Sequence, residues 1–135
     1  MTTLALKELQ RQVAFKAINI DYLISLSEVG DDGSDLVIDL IYIYLESAPL
    51  EVAKTIACLR AHDLRGFQQS VARLEFGSER IGARTLADIC RLARAEIETS
   101  EPELISDQLI AMEQELELVE HELSMVSNLL SSFSR

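Results

Sequence analysis

Apolar residues recur along most of this chain at three- and four-residue steps, the spacing that puts them on one face of an α-helix. Residues 3 to 15 place Leu6, Leu9 and Val13 on such a face. A short helix follows through Leu23, Leu26 and Val29, with Asp21 expected as its N-cap and Gly30 as its stop. Asp31-Asp32-Gly33-Ser34 reads as a turn whose Ser34 caps the next helix. From Asp35 to Glu46 the apolar positions Val37, Ile38, Leu40, Ile41, Ile43 and Tyr44 point to most sides. Their β-branching makes a strand conceivable, but helix-forming neighbours, the cap and the lack of other strands favour a helix. Pro49 is expected to end or kink it, with a second helix running through Val52, Ile56 and Leu59.

His62-Asp63 marks the next break, and Asp63 is placed to cap a helix opening at Leu64. Leu64, Phe67, Val71 and Leu74 form its expected core face, and Gly77-Ser78 and Gly82 are expected to loosen or bend its end. Another amphipathic helix runs through Leu86, Ile89, Cys90, Ala93 and Ile97. Thr99-Ser100-Glu101-Pro102 reads as a turn and a helix start. In the final helix Ile105, Leu109, Met112, Leu116, Val119, Leu123, Val126 and Leu130 alternate four- and three-residue steps, the 3.5-residue period of a bundle or coiled-coil seam. Glu113, Glu115, Glu117, Glu120 and Glu122 surround that seam and read as a solvated face. Short turns between these helices predict an all-α fold, an antiparallel four-helix bundle preceded by one or two shorter N-terminal helices. Residues 1–17 form an N-terminal helix or linker, and residues 18–135 the bundle domain.

Opposite the core face of the stretch Leu64 to Ala83 stand Gln68, Ala72, Glu75 and Phe76. This stretch resembles the central helix of histidine-containing phosphotransfer (HPt) domains, whose pattern reads roughly A-H-x-L-K-G-x-x-x-x-[LI]-G-A. With Ile81-Gly82-Ala83 on the closing L-G-A, Leu74 takes the motif leucine, Ala72 falls on the phosphorylatable histidine, Glu75 on the lysine and Phe76 on the glycine. Upstream, Tyr44-Leu45-Glu46-Ser47-Ala48-Pro49 is similar to F-L-x-x-A-P without a gap. Downstream, Gly82 to Cys90 is similar to G-A-x-x-L-x-x-x-C. The likeness spans roughly Ile18 to Leu130 and implies an HPt-like bundle that binds a response-regulator receiver domain or a histidine kinase.

The chemistry at those matched positions is altered. Phosphoryl relay needs an imidazole nucleophile and a cation near the phosphoryl group. Ala72 supplies no nucleophile, and Glu75 brings negative charge where the family has positive. Phe76 fills the space that a glycine leaves for a partner's backbone and offers an apolar anchor, unless its ring folds inward beside Ile81 or Ile89. The expected function is a non-catalytic docking module, its partner-binding face made of Gln68, Gln69, Ala72, Arg73, Glu75, Phe76 and Glu79. A second reading rests on Ala61-His62-Asp63-Leu64-Arg65-Gly66, which by itself matches A-H-x-L-[KR]-G and would make His62 the phosphoacceptor. In that frame Gly82-Ala83 lies ten residues too far along, and His62 sits at a helix junction. A third reading is structural, a homodimer through the final heptad helix.

Composition narrows the partners. Twelve basic against 23 acidic residues give a net charge of −11, so nucleic acid and acidic membranes are poor partners and a protein with a basic patch is a better one. The first residues lack the apolar run of a signal peptide, and no stretch approaches a membrane span, so a cytoplasmic location is expected. Cys58 and Cys90 belong to no C-x-x-C pair, and Cys90 reads as a small core residue. Neither His62 nor His121 has a metal-ligand companion, no enzyme signature is present, and no metal or cofactor is expected.

Overall fold

Six helices and no strand occupy the described residues, 2–29, 33–99 and 105–132, of the computed structural model. They are α1 (Thr2–Gln12), α2 (Ile20–Ser27), α3 (Gly33–Arg60), α4 (Leu64–Arg80), α5 (Arg84–Ile97) and α6 (Ser106–Ser131). α3 packs on α4 and α6, and α5 packs on the same two helices. α2 lies against α3, and α1 against α2 and α6. Each helix sends a fully buried side chain into one shared core: Leu6, Leu23, Ile41, Phe67, Leu86 and Met112. Burial of such side chains is worth about 1.5–3 kcal/mol each. Surface ion pairs, at about 0–1 kcal/mol, are secondary. Among the described residues no helix is long and apolar enough to cross a membrane.

The expected seam of α6 is the buried one: all its named residues are buried except Leu109, which is partly so. Several local expectations give way to packing. α3 runs unbroken through Pro49. A proline removes one helical hydrogen bond at a cost of about 3 kcal/mol. Tyr44 and Ala48 before it and Val52 after it are all buried, which holds both halves of the helix on the same core. Asn19, not Asp21, caps α2, its side-chain oxygen accepting from Tyr22 N. Val29 lies beyond the end of that helix and is exposed. Ser34 lies inside α3, whose first residue is Gly33. Asp31, Asp32 and Gly30, and Ser100 to Pro102, fall outside the described residues.

Two turns of identical construction join α3 to α4 and α4 to α5. At the first, His62 has φ 56°, its N–H reaches Leu59 O (3.1 Å), and Asp63 N–H reaches Cys58 O (2.8 Å). At the second, Gly82 has φ 83°, its N–H reaches Glu79 O (3.2 Å), and Ala83 N–H reaches Ser78 O (2.8 Å). Both are left-handed helix caps of the Schellman type. Asp63 then starts α4 as expected, its side chain accepting from Gly66 N at 2.9 Å. Gly77 and Ser78 do not loosen α4, which continues through Arg80. Their small size lets the Tyr44 ring approach, and Tyr44 Oη and Ser78 Oγ share a buried hydrogen bond of 2.9 Å. Leu64 was expected in the core but is exposed, because it opens α4 beside the turn, ahead of the helix's buried face.

Glu122 departs furthest from expectation. It is buried, not solvated, and its two carboxylate oxygens accept from the backbone N–H groups of Lys16 (2.8 Å), Ala17 (2.8 Å) and Ile18 (3.0 Å). These are the donors of the link between α1 and α2, which no helix satisfies. Thr3 Oγ1 with Ser27 Oγ (2.9 Å) and Gln10 Nε2 donating to Asp21 (2.7 Å) complete the attachment of α1.

Two buried acids set the alkaline behaviour. Burial pushes the Tyr44 phenol far above its ordinary range, and burial and then the nearby Glu75 push the Cys90 thiol up to about 12. The unfolded chain releases these protons at its ordinary values, about 8.5 for the thiol and 10 for the phenol, while the folded chain holds them. Stability is therefore intact below about pH 8.5 and falls as the pH rises above it, by up to about 1.4 kcal/mol per pH unit for each group. Urea unfolding midpoints between pH 8 and 11 are expected to fall steadily, and Cys90→Ala is expected to flatten the fall that begins below pH 10. An unchanged slope in that variant would assign the loss to other groups.

Candidate functional site

α4 turns Phe67, Ser70, Val71, Leu74 and Ser78 into the core, so its other faces are open to neighbours or solvent. The residues predicted for a docking face divide between two of them. Ala72, Arg73 and Phe76 look toward α3, where with Ser47, Glu51 and Gly77 they line a shallow depression. Ala72 is half-buried in the middle of the helix, and Phe76 is 63% exposed, so its ring does not fold inward. Arg80 stands over that ring, 5.5 Å from its centre, a cation–π contact that holds the ring at the surface. Arg73 Nε donates to Glu51 across the depression at 2.9 Å. Gln69 is exposed one turn earlier.

Gln68, Glu75 and Glu79 look toward α5. Gln68 Nε2 reaches the Arg94 carbonyl at 3.4 Å. Glu75 was expected as an exposed anion beside the phosphoacceptor position, but its side chain is buried between α4 and α5. One carboxylate oxygen accepts from Arg94 Nη2 and the other from Arg91 Nη1 at 3.2 Å. Arg91 also donates to Glu79 (2.9 Å) and Asp88. Asp88 above all, then Glu75, raises the Arg91 pKa and keeps its guanidinium charged. The charge that Glu75 carries is thus spent on two guanidiniums, and little of it faces a partner at Ala72.

His62 occupies the left-handed cap position between α3 and α4 and is exposed, with neither of its neighbours on a helical mid-face. The A-H-D-L-R-G match therefore falls on a C-cap followed by an N-cap. His121 is exposed on α6. Among the described residues no group of His, Cys, Asp or Glu is arranged to hold a metal ion.

Residues of α3 that no motif marked share this surface. Ile43 and Leu40 line a small apolar groove with Tyr44, Ser47, Gly77, Arg80 and Ile81, directly continuous with the depression at Ala72 through Ser47 and Gly77. A helix apolar on most sides reads as fully buried. Here Leu36, Tyr42, Ile43 and Leu50 are exposed instead. Set against family models, curated protein sequences and solved structures, the chain matches none of them.

Proposed function

We propose that the chain is a pseudo-HPt module: an antiparallel four-helix bundle of α3 to α6 that docks a receiver domain or a histidine kinase through the outer face of α4 and accepts no phosphate. The observation that carries the reading is Ala72, half-exposed at mid-helix with Phe76 standing free one turn on, at the positions the ungapped motif frame assigns to the phosphoacceptor and its glycine. Short turns at residues 61–63 and 81–83 suit antiparallel neighbours, as such a bundle requires. An alanine cannot be phosphorylated, so the module acts by occupying a partner, competing with an active phosphotransfer protein or tethering a regulator. The burial of Glu75 against Arg91 and Arg94 favours docking on an acidic receiver pocket, because it withdraws a carboxylate one turn from Ala72 that would have repelled it.

The test is a panel of phosphorylated receiver domains, assayed for binding and for phosphoryl transfer to this chain. Binding without transfer is expected, weakened about tenfold or more by Phe76→Gly, which deletes the exposed anchor. Transfer onto His62, lost in His62→Gln, would replace this reading with that of an active phosphotransfer protein. A partner that binds with full affinity to the Phe76→Gly variant would move the docking face away from α4.

A further inference from the structure

α3 carries a second seam, on its outside. Leu36, Ile43 and Leu50 recur every seven residues with Leu40 and Ser47 between them, the four- and three-residue steps of a coiled-coil interface. Ile43 is 62% and Leu50 68% exposed, and Phe76 of α4 continues the apolar strip. Leu40, Ile43 and Ser47 already line the groove toward α4, so the strip is concave on that side. Isolated apolar side chains at a surface are ordinary, but a line of them in register along one helix is what a partner helix covers.

The charges beside the seam choose between occupants. Asp39 and Glu46 each follow a seam residue by three positions, Asp35 lies beside the first of them, and all three are exposed with no ion pair among the described residues. Lys54 is the one basic residue that extends the line past Leu50. On the α4 side Glu51 is already held by Arg73, and Arg80 by the Phe76 ring. Flanking charges of this kind set partner choice in helical pairs. A second copy laid antiparallel would bring Asp39 and Glu46 against the same two residues of its twin, and each copy carries a net charge of −11.

We infer that this seam docks an amphipathic helix of another protein, one presenting leucine-like residues at heptad spacing to Leu36, Ile43, Leu50 and Phe76 and lysine or arginine along the flank that meets Asp39 and Glu46. The inference goes beyond the docking of a receiver or kinase: the two faces share Phe76, but this one is carried by the α3 residues Leu36, Ile43 and Leu50 and not by Ala72. The probes are two synthetic helical peptides with the same leucine seam, one flanked by lysine and the other by glutamate, titrated into the isotope-labelled chain and followed by amide chemical shifts. The lysine peptide is expected to bind roughly tenfold or more tightly than the glutamate peptide, shifting resonances from residue 36 to residue 50 and at Phe76. Ile43→Ser with Leu50→Ser, both at exposed sites and so compatible with an unchanged helical spectrum, is expected to abolish that binding. Asp39→Lys with Glu46→Lys is expected to reverse the preference. Equal affinity for the two peptides, shifts confined to the acidic face of α6, or a dimer of the chain itself that Ile43→Ser dissociates would each overturn the proposal.

Discussion

Glu122→Ala is expected to cost about 3 kcal/mol and to lower the melting temperature by roughly 10 °C. The side chain is buried and serves three backbone donors, two of which, at Ala17 and Ile18, belong to buried residues. Removing it leaves those N–H groups unpaired in the interior, and an unpaired buried donor costs about 1–3 kcal/mol. Glu122→Gln keeps one acceptor oxygen and turns an amide N–H₂ toward the remaining donor, so it is expected to lose about half as much. Leu6→Ala is the informative comparison. It loosens α1 by opening a cavity, yet leaves the carboxylate cradle intact. Hydrogen exchange separates the two effects: the amides of Lys16, Ala17 and Ile18 are expected to lose protection in Glu122→Ala before the rest of the bundle does. Stability within about 0.5 kcal/mol of the parent would mean that water replaces the carboxylate at no cost.

The same residue shows where a reading of the chain fails. Glu117 and Glu122 look alike in sequence, two acids beside a heptad seam, and one is exposed while the other is buried. What separates them is a stretch of backbone 104 to 106 residues away, and no local pattern carries that information. Glu75 fails for the same reason, since its two guanidinium partners stand 16 and 19 residues on, in another helix. The helices themselves were legible because burial has a period. Phe67, Val71 and Leu74 on α4 and Met112 to Leu130 on α6 are where the spacing puts them. Pro49 does not end α3 and Gly77 does not interrupt α4, because the rules for both describe an isolated helix, and Tyr44, Ala48 and Val52 hold α3 on the core. The outward line on α3 was hidden by composition. A helix apolar on most sides has no polar face from which an exposed side can be inferred.

The two substitutions that would give α4 the histidine and lysine of the phosphotransfer motif it resembles are expected to behave in opposite ways. Ala72→His should fold normally, because position 72 is half-exposed on the outer face and an imidazole there projects into the shallow depression beside Phe76. Glu75→Lys should not. The carboxylate it removes is the shared partner of Arg91 and Arg94, and the ammonium it introduces enters a site where only 11% of the side chain meets solvent. Three like charges then converge between α4 and α5; the carboxylate is buried but the guanidiniums are half-exposed, so the loss is about 3 kcal/mol, the low end for a broken buried pair. Arg91 retains Glu79 and Asp88, so the loss falls mainly on Arg94, whose Nε already lacks a partner. Thermal unfolding of the two single variants and of the double variant decides the matter. A melting temperature for Glu75→Lys within about 2 °C of the parent would mean that the guanidiniums swing out to solvent freely. If it falls by roughly 10 °C as expected, position 72 is a tolerant surface position and position 75 is built into the packing of α4 on α5. Building a lysine into position 75 would then require Arg94 to change along with Glu75.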